Sequence, residues 1–225
     1  MTLATYADPD ELYLARGAEV NPNRPLFTGD VLLDVAIPGV QDRGLGIVIA
    51  HPCSIRGAQG HLLDRILVAA VRSHQQVGRK SWTEGFHGRT PLPVLGDHGY
   101  CVGHLDQLGR AATTDALNTV RVACLSEVGI NLLQQRLTFH LTRAEIPTST
   151  FHQAFAHTLV EAELLEHWTD TLTDAGRSIA ESAALFETFI RGGAPSLQEQ
   201  LLEPELRASV RRACSREARN IVQQG

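Results

Sequence analysis

The clearest indication of the fold comes from two short apolar runs, GIVIA at residues 46–50 and RILVAAV at residues 65–71. Both runs are rich in Val, Ile and Leu and are bounded by turn-forming residues, which is typical of β-strands. Residues 47–50 are apolar at every position, as expected for a strand that is covered on both faces inside a curled sheet. With a third run at residues 31–37, these strands predict a small β-barrel that begins near residue 26.

The chain that follows changes from a strand pattern to a helix pattern. Residues 75–99 are rich in Gly, Pro, His and charge, which predicts a long surface loop with one short strand at 91–95. A further strand is predicted at 100–108. Ser126 then opens an amphipathic helix that extends to Pro147.

These patterns predict an α+β protein with three segments. A polar lead-in occupies residues 1–25, the small barrel occupies residues 26–145, and residues 146–225 form an α-helical extension. The turn-rich sequence NPNRP at residues 21–25 separates the lead-in from the barrel, because its two prolines stop any preceding helix.

Composition excludes several classes of protein. The chain has 225 residues, of which 43% are hydrophobic, so it is not mainly disordered. No apolar run approaches the roughly 18 residues that span a bilayer, and residues 1–10 lack the features of a signal peptide. The four cysteines form no C-x-x-C pair, so neither a zinc knuckle nor a disulfide framework is indicated. We therefore expect a cytoplasmic protein without a membrane segment.

Charge is distributed unevenly along the chain. The net charge is −5, and residues 1–25, 26–145 and 146–225 contribute −2, +1 and −4. All basic residues except Lys80 are arginines, whose planar guanidinium group suits phosphate. The near-neutral central segment is therefore compatible with a site for an anion.

Several short motifs of the central segment occur in a recognisable order. They are Gly29-Asp30-Val31, Arg43 before the run 46–50, the run 65–71, Pro91-Leu92-Pro93, the sequence LDQLGR at 105–110, and Leu125-Ser126-Glu127. In this order they resemble the PemK/MazF family, the ribonuclease toxins of toxin–antitoxin pairs. The resemblance implies an SH3-like barrel that hydrolyses single-stranded RNA without metal or organic cofactor. It also implies a homodimer and a protein partner, either antitoxin-like or a subunit of a complex.

The resemblance also indicates where the active site would lie. The family has an arginine before its second strand and a threonine after its third, and Arg43 and Arg72 stand at the matching positions. RNA cleavage without a metal also needs groups that transfer protons. His51 and His74 follow the same two strands, and histidine titrates near neutral pH. These four residues are the predicted catalytic set.

A second set is predicted to bind nucleic acid. Arg79, Lys80, Trp82 and Arg89 lie in the segment 75–99, and neighbouring basic and aromatic side chains neutralise and stack on single strands. The alternative is that the aromatic residues only anchor this segment to the core.

Two other functions are compatible with the sequence. Arg43 is followed by Gly44 and Leu45 instead of the family's proline, and Arg72 replaces the family's threonine. The alternative is therefore that the barrel has lost catalysis and is a binding or assembly module in a defence or regulatory complex. A thiol enzyme built on His51 and Cys53 is a third hypothesis, because alternation along a strand places both residues on one face.

Overall fold

The computed structural model describes residues 3–57 and 61–224 and confirms the α+β class. Within these residues the strands are β1 (Tyr13–Arg16), β2 (Asp30–Leu32), β3 (Gly46–Val48), β4 (Arg65–Ser73), β5 (Arg89–Leu92), β6 (Cys101–Ala112) and β7 (Arg121–Leu125). The helices are α1 (Arg79–Glu84), α2 (Thr113–Asn118), α3 (Glu127–Thr142), α4 (Thr148–Asp174), α5 (Ile179–Arg191), α6 (Leu197–Gln200) and α7 (Arg207–Gln224). None of these helices is both long enough and apolar enough to cross a bilayer.

The strands form one antiparallel sheet with the order β1-β7-β2-β3-β4-β6-β5. Its longest pair is β4 with β6, and the register of this pair shifts between Ala69, which faces Leu108, and Ala70, which faces His104. Three residues of β6 are therefore left without partners on β4. Such an irregularity bends the strand and increases its twist.

This twist curls the sheet into a half-barrel, and its two edge strands are bridged by side chains. Tyr13 on β1 donates a hydrogen bond of 2.8 Å from its hydroxyl to the carbonyl oxygen of Pro93, just after β5. Arg16 donates to the carbonyl of the neighbouring Val94 at 3.1 Å. The segment predicted as a lead-in thus contains an edge strand of the sheet. A four-residue strand is too short to show a period of two in the sequence.

The interior of the half-barrel is apolar. Leu32, Val48 and Val68, from three successive strands of the sheet, are fully buried there together with Ile37. The connection between β2 and β3 covers this cluster, since an added Cβ at Gly109 on β6 would overlap the side chain of Ile37.

Helix α3 packs against β1, β5 and β7. The Ser126 hydroxyl caps its first turn by accepting a hydrogen bond from the amide of Gly129 at 3.2 Å. Gly129 itself faces the carbonyl oxygen of Leu12, with which any added Cβ would overlap. A glycine is therefore required for this close approach.

The segment predicted as a surface loop at 75–99 is partly packed against the sheet. It contains α1 and β5, and the indole of Trp82 on α1 is fully buried. The indole Nε1 donates a hydrogen bond of 2.9 Å to the hydroxyl of Tyr100. The large apolar area of this one side chain anchors a segment whose composition otherwise resembles a loop.

The chain divides into two compact units. The first comprises Met1–Asn21 with Leu26–Gln153, and the second comprises Pro22–Pro25 with Ala154–Gly225. The second unit is helical and has its own core, in which Trp168 stacks on Phe189 and packs edge-on against Phe186. The connector at 22–25 joins this unit because its Arg24 forms an ion pair of 2.8 Å with Glu166.

Candidate anion-binding site

Two arginines and a histidine lie on one face of the sheet, where β4, β6 and β5 run side by side. His104 on β6 is paired with Ala70 on β4 and with Arg89 on β5. Arg72 is two residues beyond Ala70 and is paired with Val102, two residues before His104. Paired residues share a face, as do alternate residues of one strand, so Arg72, Arg89 and His104 lie on one face, with His104 on the middle strand. We call them the sheet cluster.

His104 is the most enclosed member of the sheet cluster. Its side chain is 12% exposed, and its Nδ1 lies 3.6 Å from the Oδ1 of Asp106. Burial lowers the pKa of His104 below its usual value, and the positive charges of Arg89 and Arg72 lower it further, while Asp106 partly opposes them. The neutral imidazole is therefore favoured, and a neutral imidazole can accept a proton.

His74, which follows β4, extends the sheet cluster. The NH1 of Arg89 lies 3.1 Å from the Nε2 of His74, and the Nδ1 of His74 lies 2.7 Å from the carbonyl oxygen of Gln75. Both contacts are hydrogen bonds in the neutral tautomer that carries its proton on Nδ1. The ring of Phe86 contacts His74 edge-on. The guanidinium of Arg89 lies 5.6 Å from the centroid of the same Phe86 ring. Arg89 is thus held in place by a ring nitrogen and an aromatic face.

The charge of the sheet cluster is not balanced by an ion pair. Neither Arg72 nor Arg89 pairs with a carboxylate of residues 3–57 or 61–224, and both side chains are partly buried. Partly buried guanidinium groups without a carboxylate attract anions, and their forked donors match the oxygens of phosphate.

Arg43 is placed differently from the other predicted catalytic arginine. Its Nε lies 2.8 Å from the Oδ2 of Asp34, its NH2 donates to the Asp34 carbonyl at 3.0 Å, and its NH1 lies 3.9 Å from Asp115. The hydrogen bond with Asp34 and the charge of that carboxylate raise the pKa of Arg43. Its charge is therefore compensated locally, whereas Arg72 belongs to the sheet cluster.

His51 and Cys53 form a local cap. The Nδ1 of His51 accepts a hydrogen bond of 3.2 Å from the backbone amide of Cys53, at the start of the short helical turn Pro52–Ser54. The thiol of Cys53 is exposed. Because this nitrogen of His51 already accepts a hydrogen bond, the contact between the two residues is one of helix capping.

The predicted nucleic-acid-binding residues separate into two groups. Arg79 and Lys80 are exposed on α1, and the Nζ of Lys80 lies 3.9 Å from Glu84. Trp82 offers no open ring, since it is buried and Arg136 lies 5.1 Å from its centroid. Arg89 belongs to the sheet cluster.

His104 and Asp106 were not among the predicted site residues. The available indication was their spacing of two residues, which places both polar side chains on one side of a predicted strand. The pairing of this strand with Arg72 and Arg89 depends on long-range register, which alternation alone does not reveal.

No group of three His, Cys, Asp or Glu side chains is arranged to hold a metal ion in the part of the chain that the structure describes. Comparison with known proteins adds no relative, because no family model and no curated protein matches the chain.

Proposed function

We propose that the protein binds single-stranded RNA at the sheet cluster and cleaves it as a metal-independent endoribonuclease of the PemK/MazF type. One observation carries the proposal: His104 shares one face of the sheet with Arg72 and Arg89, which have no carboxylate partner among residues 3–57 and 61–224, and burial lowers the pKa of His104. A base and a cationic phosphate site are what cleavage by the 2′-hydroxyl requires.

Arg72 and Arg89 hold the phosphate that is attacked. Their guanidinium groups bind its non-bridging oxygens and stabilise the negative charge that increases there in the transition state. Partial burial strengthens this interaction, because the effective dielectric constant is lower than in bulk water. The contact of Arg89 with His74 orients one of the two guanidinium groups before RNA binds.

His104 removes the proton of the 2′-hydroxyl. The 2′-oxygen then forms a bond to phosphorus, the bond from phosphorus to the 5′-oxygen breaks, and the 5′-oxygen takes a proton from water. The products are a 2′,3′-cyclic phosphate and a 5′-hydroxyl end. Asp106 stabilises the imidazolium that forms, since its carboxylate faces the Nδ1 of His104.

The experiment is cleavage of end-labelled single-stranded RNA by the full chain in the presence of EDTA. We expect products with the ends named above, and we expect Arg72→Gln/Arg89→Gln to lower kcat/KM by about 10²–10³ or more. The matched control is Arg65→Gln/Arg110→Gln, which removes two exposed arginines from the far end of the same strand pair. Equal activity of the two double variants contradicts the proposal.

A second candidate function is a binding or assembly module without catalysis. It is favoured by Arg43, which stands where the family has its catalytic arginine but is paired with Asp34 and Asp115. RNA binding without any cleavage supports this candidate. The homodimer and the antitoxin-like or complex partner remain predictions, and the mass of the protein in solution, alone and after capture from its own cells, tests them.

A further inference from the structure

The outer face of α7 is a row of arginines. Arg212, Arg216 and Arg219 are exposed, and they lie opposite the side of the helix that buries Val210 and Cys214 in the core of the second unit. The spacing of four and three residues places the arginines on one face. With Arg211, Ser215, Asn220 and Gln223 they line a shallow pocket of about 630 Å³. We call the surface formed by Arg212, Arg216 and Arg219 the arginine face.

The charge of the arginine face contrasts with the sequence around it. Helix α7 contains five arginines and one glutamate, a net charge of +4, whereas residues 146–206 contain two basic and ten acidic side chains, a net charge of −8. The segment that appears acidic as a whole therefore ends in a basic helix. This distinction is lost when the extension is counted as one segment.

Interactions within the helix account for only part of the arginine face, since the Nε of Arg219 donates a hydrogen bond of 3.0 Å to the carbonyl oxygen of Ser215. Arg212 and Arg216 pair with no carboxylate of the described residues, while the neighbouring Arg211 does pair with Glu163 at 2.6 Å. Like charges four and three residues apart weaken a helix. The helix dipole favours cations only in the last turn, which does not include Arg212 or Arg216.

The acidic segment 146–206 of a second copy is a poor occupant. At least seven of its ten carboxylates accept hydrogen bonds from side chains or backbone of the same unit. They are Glu161, Glu163, Glu166, Asp170, Glu181, Glu187 and Glu199. This segment therefore offers few free carboxylates to the arginine face.

The lining of the pocket distinguishes a nucleic acid from a protein. It is lined by arginine, serine and amide side chains with no aliphatic or aromatic residue among them, so its apolar area comes from the carbon atoms of these polar side chains. Protein interfaces depend on buried aromatic and apolar anchors, whereas phosphate contacts are made by arginine, serine, asparagine and glutamine. We propose that the arginine face binds the phosphodiester backbone of a nucleic acid without reading its sequence. This site is additional to the sheet cluster and does not depend on it.

The test uses the full chain and fluorescence anisotropy with a labelled single-stranded DNA of mixed sequence, over a series of salt concentrations. DNA lacks the 2′-hydroxyl, so cleavage at the sheet cluster does not interfere. Each phosphate contact contributes about 0.7 to the slope of log affinity against log salt on a single strand. We expect Arg212→Gln/Arg216→Gln/Arg219→Gln to reduce this slope by about 2 and to lower affinity at low salt by at least about tenfold.

The control variant is Arg65→Gln/Arg110→Gln/Arg177→Gln, which removes the same charge from other positions, and circular dichroism verifies that both variants retain their helices. The proposal is supported if only the α7 variant loses affinity and slope, with RNA of the same sequence behaving like DNA. It is overturned if both variants lose affinity equally, or if polyglutamate displaces the DNA at equal concentration of charge. RNA cleavage by Arg72→Gln/Arg89→Gln tests the sheet cluster, and DNA binding by the α7 variant tests the arginine face. Either proposal can therefore fail without the other.

Discussion

The NH1 of Arg89 lies 3.1 Å from the Nε2 of His74, although 15 residues separate them in the chain. From the sequence, Arg89 was predicted to bind RNA and His74 to take part in catalysis. In the structure, β5 and β4 flank β6 on its two sides, so Arg89, Arg72 and His104 lie together on one face. Residues predicted for two different roles therefore belong to one part of the sheet.

The pKa of His104 responds in opposite directions to its two kinds of neighbour. Arg89→Gln removes a positive charge that lowers the pKa of His104, so the pKa rises. Asp106→Asn removes a negative charge that raises the pKa, so the pKa falls. The measurement is an NMR titration of the His104 ring, with Arg65→Gln as the control that leaves it unchanged. Shifts in the same direction in the two variants contradict the described geometry.

We expect activity on RNA to follow the ionisation of the same imidazole. The neutral form is the proposed base, so we expect activity to fall as the pH decreases through the pKa of His104. The lowered pKa would extend activity below the range of an ordinary histidine. In Asp106→Asn the acid limb of the profile of kcat/KM moves to lower pH. His104→Asn removes the limb and lowers kcat/KM by about 10²–10⁴. An unchanged acid limb in His104→Asn assigns the base to another residue.

We expect Arg43 to contribute little to RNA cleavage. Its charge is paired with Asp34, and its side chain is half exposed. We therefore expect Arg43→Gln to leave kcat/KM within about twofold of the unchanged protein. We expect Arg72→Gln to lower kcat/KM by about 10²–10³. Steady-state cleavage assays on the two single variants test the difference. An equal loss in both variants restores Arg43 to the catalytic set and refutes its assignment as a locally paired residue.

Trp82 acts on stability rather than on RNA binding. Trp82→Phe leaves the Tyr100 hydroxyl without its donor and opens a small cavity, so we expect a loss of about 1–3 kcal/mol in the free energy of unfolding. Urea unfolding measures this loss, and Arg79→Gln on the same helix is the control with little effect. If Trp82→Phe instead retains full stability and binds RNA more weakly, the ring stacks on a base.

Gly129 is needed for the close packing of α3 against the backbone of Leu12. Alanine is a better helix former than glycine, but a Cβ at this position overlaps the carbonyl oxygen of Leu12. We expect Gly129→Ala to destabilise the protein by about 1–3 kcal/mol. The neighbouring exposed Val128 provides the control, since Val128→Ala removes no packed group. A stability gain in Gly129→Ala measured by thermal unfolding contradicts the close approach.

The elements with strong local patterns were predictable. The run 65–71 forms β4, which begins at the predicted residue. The helix predicted after Ser126 is α3. It ends at Thr142 rather than at Pro147, because Arg143 adopts a left-handed conformation. The short edge strand β1 and the helix α1 were not predicted. Each has only four to six residues, and each is held by long-range contacts such as those of Tyr13 and Trp82.

From the sequence alone it was possible to obtain the α+β class, the central apolar strands and the helical extension, because β-branched runs and helical spacing are local properties. The tertiary structure alone decided which arginines lie together. Arg72 meets Arg89 and His104 across three strands, and Arg43 meets Asp34 instead. The physical reason is that neighbours on a sheet are set by strand order and by the register shift between Ala69 and Ala70, and both depend on contacts between residues that are distant in the chain.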